Sequence, residues 1–296
     1  MAKDKIKYFL VMSIFITTLF IIIKIAFQSS KETIIFFPLH KEAQFNSAQT
    51  QISFVPGMKQ TNYKIDFSIH SELDRNAYLR QDIGLLFRNG KLIKIKGIGD
   101  WKQNTSILDQ SNLLKDSGSG YYQAISFHYG EIHDNEAISS VQEMSNNYLY
   151  VIQSKFSPTF ISFRTSRTKD ELQWENTINQ LIEKQLTEVW KHGMLSLGID
   201  LNQYLSIPIT ELANYNQRPL PGFTKMQSQE IIGKLWEGLY KNYLLGIKKE
   251  DGTSVHPLGS SVPLLLINRN RHELLVLIIT KDLEPELLKQ SINLLD

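Results

Sequence analysis

The sequence predicts an α+β ectodomain on a single N-terminal transmembrane helix, with a β-rich N-terminal half and with helices and a buried hairpin in the C-terminal half. Three observations predict it. Residues 8–27 are an apolar run with one charge, residues 51–164 hold short segments of strand-like alternation, and from Thr168 the apolar residues recur at helical spacing. The corresponding segments are 1–32 (cytoplasmic tail, anchor and short linker), 33–165 (β-rich part) and 166–296 (α/β part), with 33–296 also readable as one domain.

The anchor comes first. Residues 8–27 read YFLVMSIFITTLFIIIKIAF, enough apolar length for a helix to span a bilayer, and Lys24 near its end can snorkel to the headgroups. Lys3, Lys5 and Lys7 precede the run and Lys24 and Lys31 accompany its far end, a bias that favours a cytoplasmic N-terminus. A cleaved signal peptide would need a shorter apolar core and an A-x-A-like site, which residues 25–30 do not offer. A buried soluble helix would be polar on some face, and this one is not. The expected localisation is therefore the cell membrane, single-pass, with residues 33–296 extracytoplasmic and the lipid bilayer as a partner through residues 8–27.

Composition bounds the remainder. With 42% hydrophobic and 21% charged residues among 296, the chain is neither disordered nor of low complexity. It has no cysteine, which removes disulfides, thiol nucleophiles and Cys-ligated metals. Residues 1–32 hold five basic and two acidic side chains; removing them from totals of 32 and 30 leaves 27 basic and 28 acidic in 33–296. That near-neutral balance argues against nucleic acid as a partner.

Along the chain, residues 33–39 (TIIFFPL) are a short apolar run that can form a first strand or a juxtamembrane contact. Strands are expected at 51–55 and 63–70, where Tyr63, Ile65, Phe67 and Ile69 alternate with polar residues. Asn89-Gly90 supplies a type I′ turn for a hairpin over 83–96. Residues 104–120 are expected as a loop, and 121–131, 148–154 and 159–164 as strands. Thr168 and Glu171 fit a capping box for a helix ending near Gly193. A second helix covers 227–245, and 262–268 and 274–280 read as a hairpin buried on both faces. Pro285 starts a last helix expected through Leu295.

The densest titratable stretch is 128–136, where His128, Glu131 and His133 are candidate metal ligands. On a strand, His128 and His133 would face opposite ways, so the alternative is a strand end running into a polar turn. Asp134 and Glu136 add carboxylates of the kind a glycosidase pairs, although they are neighbours only in sequence. Ser119, Ser260 and Ser261 lie near glycines without a G-x-S-x-G elbow, while a Ser–His–Asp set can still assemble in space. Trp236, Tyr240 and Tyr243 share one helix face, which is either core or a surface for a partner helix, peptide or glycan. No phosphate-binding loop, dinucleotide fingerprint or cofactor motif is present. The expectation is a non-enzymatic binding or assembly module at the cell envelope, with an envelope protein as partner. The alternatives are an envelope hydrolase, metal-assisted through His128, Glu131 and His133, and a small-ligand or lipid sensor or carrier with a pocket between the β part and the two long helices.

Overall fold

The computed structural model describes residues 35–57, 62–134, 137–153, 159–249 and 251–292. The apolar run 8–27 lies outside them. Among the described residues no helix is long and apolar enough to cross a membrane. The described residues belong to one compact unit.

The first seven strands make one antiparallel sheet: β1 (Phe45–Pro56), β2 (Tyr63–Arg88), β3 (Lys91–Lys96), β4 (Lys102–Asp116), β5 (Gly120–Asp134), β6 (Ala137–Gln153) and β7 (Phe160–Phe163). The 26-residue β2 organises it. Its first half pairs with β1 and β4, β4 continuing past the midpoint to Arg80, and its second half pairs with β3 and β5, while β6 and β7 extend from β5. Register with β4 shifts between Glu72 and Ala77. There the strand turns a corner and exchanges its faces. Tyr63, Ile65, Phe67 and Ile69 line the interior before the shift and Leu86 lines it after. The sheet thereby folds back and nearly closes. Thr50 of β1 reaches across to Ser126 of β5 and Ser145 of β6 at 2.7 and 2.6 Å.

Local chemistry explains the hairpin arms. Asn89 and Gly90 take φ of 49° and 76°, the left-handed values that a type I′ turn requires. Of the run 33–39, read as a first strand or a juxtamembrane contact, the described residues 35–39 make one bridge, Leu39 to Ser140. The expected loop at 104–120 is instead mostly β4. Its polar sequence suits an edge strand with one wet face, and pairing with β2 satisfies its backbone; only 117–119 remain loop.

The second sheet has the order β13-β12-β11-β8, from β8 (Tyr204–Pro208), β11 (Leu264–Asn268), β12 (Glu273–Ile279) and β13 (Pro285–Ser291). A two-stranded ribbon of β9 (Ile247–Lys248) and β10 (Ser254–Val255) stands apart. The expected buried hairpin is β11–β12, central in the sheet. The expected last helix is strand β13. Leu287 and Leu288 go to opposite faces of the sheet, which a strand allows, and the edge of apolar β12 supplies the partner that a helix there would leave unbonded.

Two helices cover this sheet. The first, α1 (Lys169–Ser196), starts with the Thr168–Glu171 capping box. It does not end at Gly193. That glycine is buried within α1, where a Cβ would press on the Ile279 side chain, so it permits close packing on β12. The second, α2 (Lys225–Leu239), opens with a Thr224–Gln227 capping box and continues as a π-helical turn over Tyr240–Leu244. One core holds Phe127 of β5, Trp236 of α2 and Val276 of β12, so α2 is sandwiched between the two sheets. Leu277 and Ile279 face α1 in a second core, and Ile178 and Ile182 of α1 pack on Tyr150 and Ile152 of β6 in a third.

Two glycines give a stability test. Gly97 and Gly99 both have positive φ, 84° and 75°. A Cβ on Gly97 would run into the Asp82 carbonyl oxygen, whereas Gly99 has open space around it. Gly99→Ala should cost about 1–2 kcal/mol from left-handed strain alone. Gly97→Ala should cost about 1–3 kcal/mol more through the clash. Urea unfolding of both variants checks the difference.

Candidate functional site

The pleat of β5 divides the candidate metal ligands. His128 points into the coiled sheet and is fully buried, while Glu131 and His133 lie on the other face. Glu131 Oε2 is 3.5 Å from His133 Nε2, and the His133 ring stacks on Tyr78 with centroids 3.8 Å apart. Burial raises the Glu131 carboxyl above its ordinary range, opposed by His133. Asp134 pairs with His40 at 3.0 Å, and Glu136 lies outside the described residues. Among the described residues, no three His, Asp or Glu side chains are grouped to hold a metal ion.

The aromatic stripe is core. Trp236, Tyr240 and Tyr243 are all buried; Trp236 stacks on Phe127 at 5.1 Å, and the Tyr243 hydroxyl lies 2.9 Å from Ser260 Oγ. Burial pushes the Tyr243 phenol well up. The surface reading of this stripe therefore gives way to packing. Ser260 and Ser261 are fully buried too, and Ser119 accepts the Gln153 N–H at 3.0 Å in a strand connection.

His128 instead belongs to a buried polar cluster that sequence reasoning missed. His128 Nε2 is 2.7 Å from Ser145 Oγ, and its Nδ1 is 3.5 Å from Asp82 Oδ2, beyond hydrogen bonding. Ser71 donates to Asp82 at 2.5 Å, and the fully buried Arg80 donates to Ser71 and to the Ser106 carbonyl at 2.9 Å. The Arg80 guanidinium is 3.7 Å from Asp82 and lies over the Phe45 ring, which also meets His128 edge-on. Burial lowers the Arg80 pKa, and Asp82 opposes that shift. Glu143 is the cross-strand neighbour of His128. The order Asp82–His128–Ser145 is that of a hydroxyl activated by a carboxylate-oriented imidazole. Its imidazole and carboxylate have no solvent exposure, however, so the cluster acts first as a polar tie between β1, β2, β5 and β6. Nothing in the sequence singles out Arg80 and Asp82, because β2 also carries Lys64, Asp66, His70, Glu72, Asp74 and Arg75.

Two surface features remain. Residues 35–44 form a strap that docks on the domain before β1 begins. Tyr129 donates its hydroxyl to the Ile35 carbonyl at 2.5 Å, the Phe36 N–H donates to Glu237 Oε2 at 2.9 Å, and Ser140 donates through its hydroxyl to Phe37 and through its N–H to Pro38. The Phe36 ring occupies the space where Gly233 lacks a side chain. Beside the strap, a groove of about 480 Å³ runs between α2 and the β12–β13 edge, with Leu235, Leu239, Leu274, Val276 and Leu288 among its lining. A smaller slot of about 130 Å³ lies between β5–β6 and α2, lined by Gln142, Asn216, Gln217 and Gln229.

Comparison with protein-family models, with curated proteins and with solved structures finds no match.

The polar cluster generates two expectations. Asp82→Ala leaves the Arg80 guanidinium buried without its counter-charge and should cost about 3–5 kcal/mol in urea unfolding. Burial raises the Glu143 carboxyl, with His128 opposing. The folded chain therefore holds that proton more tightly than the unfolded chain does. The associated stability is full below the ordinary glutamate value of about 4.3 and is lost as pH rises through the folded value. Glu143→Gln should melt higher than the parent at neutral pH, with the advantage gone by about pH 4. Equal melting temperatures at neutral pH would contradict the burial account.

Proposed function

We propose that this chain is a single-pass membrane protein, N-terminus cytoplasmic, whose domain over 33–296 is a non-enzymatic binding or assembly module at the extracytoplasmic face. The observation that carries the reading is the strap. The chain leaves the apolar run 8–27 and enters the domain through residues fixed by side-chain and backbone hydrogen bonds to β5, β6 and α2, so its point of entry is set by the fold. A domain held in this way presents a constant set of surfaces, which suits recognition. The separation of His128 from Glu131 and His133 across the β5 pleat favours binding over metal-assisted hydrolysis.

The absence of native cysteine makes topology testable with single labels. Met226 is 74% exposed on α2. In intact cells, Met226→Cys should react with a membrane-impermeant maleimide, and Asp4→Cys should react only after lysis. The reverse pattern, or recovery of the full chain in the soluble fraction, would overturn the anchored reading. For the binding role, crosslinking and co-purification of the tagged full-length chain from its native membrane should retain a specific envelope component.

A further inference from the structure

We infer that the groove between α2 and the β12–β13 edge binds a membrane phospholipid, its acyl chain on the leucine-lined floor and its phosphate at the lysines of the mouth. This rests on the anchored reading above and names a ligand for that module. Four observations converge on it.

The first is chemical. The floor is Leu235, Leu239, Leu274 and Val276, and Leu288 is a half-buried wall. A space of about 480 Å³ is within the range of small-molecule sites. Lys234, Glu237, Asn242, Lys289 and Gln290 also belong to the lining, so the groove is mixed and suits a ligand with both a hydrocarbon part and a polar head.

The second is Gly238. It lies within α2 and lines the groove, and a Cβ there would meet nothing within 4 Å. A glycine inside a helix weakens the helix relative to alanine. Gly233, earlier in the same helix, has a packing reason in Phe36, whereas Gly238 is a position where a Cβ would meet nothing. It keeps the wall of the groove low.

The third is where the chain enters. Glu237 lines the groove and also accepts the Phe36 N–H. The apolar run ends at Phe27, and the eight steps to Ile35 span at most about 30 Å of extended chain. The groove is thus beside the domain residue at which the chain from the proposed anchor is received.

The fourth is charge at the mouth. Lys234 and Lys289 line the groove, each paired with an acidic side chain that does not line it, Glu230 at 2.6 Å and Glu273 at 2.5 Å. Exposed pairs of this kind are weak, so a phosphate can compete for the ammonium groups. The one acid in the lining, Glu237, is already engaged by Lys241 at 2.6 Å and by the strap. The mouth therefore favours an anionic headgroup over a cationic ligand.

The test uses the full-length chain reconstituted into vesicles of phosphatidylcholine with phosphatidylglycerol bearing a diazirine on one acyl chain. After irradiation, mass spectrometry should place crosslinks on 235–242 and 285–290. Gly238→Trp fills the groove and should reduce those crosslinks at least tenfold while the melting temperature stays at the parent value. Gly238→Leu serves the same purpose if the tryptophan variant does not fold. Lys234→Gln should lower crosslinking to the phosphatidylglycerol probe and, since phosphatidylcholine carries the same phosphate, to a diazirine phosphatidylcholine as well, with the larger loss for the net-anionic phosphatidylglycerol. Crosslinks confined to 8–27, crosslinks to the groove that persist in both Gly238 variants, or a peptide found in the groove in place of lipid would overturn the inference. If maleimide labelling places Met226→Cys outside and the groove still takes no label, the lipid site fails while the anchored reading stands. If the labelling pattern is reversed, the anchored reading itself has failed.

Discussion

The demand that both edges of β2 be bonded is the constraint on which the rest of the structure depends. A strand of 26 residues carries two rows of backbone donors and acceptors, and buried groups of this kind need partners. β1 and β5 share one row and β3 and β4 share the other. No planar arrangement serves both halves of so long a strand while burying its apolar face. The irregularity between Glu72 and Ala77 lets the strand bend and fold one half over the other. Because side chains alternate with period two, the bend also changes which parity faces inward, and every pairing beyond it is set from that point.

The buried cluster of Arg80, Asp82 and His128 follows directly after this corner. Taking a guanidinium and a carboxylate out of water is costly, and their mutual attraction repays it only when the remaining polar atoms are served. Here that service is partial: Ser71 reaches both Asp82 and Arg80, Ser145 reaches His128, and Thr50 and Ser126 extend the chain from Ser145, while Arg80 Nε, Asp82 Oδ1 and His128 Nδ1 have no hydrogen-bond partner. Sliding β6 by a residue would turn Ser145 outward and take from the buried His128 its hydroxyl partner. The cluster thus penalises wrong registers in a fold whose other interior end is apolar. On the outer face of the same sheet, Phe127 and Tyr129 are packed into the core that includes α2, so β5 is buried on both sides.

Much of this architecture is legible in the sequence. The alternation from Tyr63 to Ile69, the Asn89-Gly90 turn, the Thr168–Glu171 box and the apolar hairpin of β11–β12 each follow from a local rule that the structure obeys. β4 is hidden because its residues are those of a loop, and only the open edge of β2 makes them a strand. β13 is hidden because Pro-Glu-Leu-Leu suits a helix start as well as a strand, and the free edge of β12 decides. Gly193 resembles a helix end until its contact with Ile279 is seen. Of the candidate site residues, His128 stands out in sequence, but its partners Arg80 and Asp82 do not, since the corner in β2 reverses the parity that would have marked them as interior. The strap and the groove depend on residues far apart in the chain, Phe36 against Gly233 in the one and Leu235 and Leu288 lining the other, and no periodicity announces them.

The strap also has a mechanical meaning. A pull on the chain at Ile35 does not load the sheet at once. It meets the bonds of Tyr129, Glu237 and Ser140 one after another, each loosened before the next bears tension, in the manner of a seam being unpicked. Only when residues 35–44 have come away does the force arrive at Phe45 and the long ladder of eleven residue pairs between β1 and β2. Residues 35–44 are therefore a compliant element in series with a stiff one. Small displacements of the incoming chain are absorbed there, and the two packed layers keep their shape.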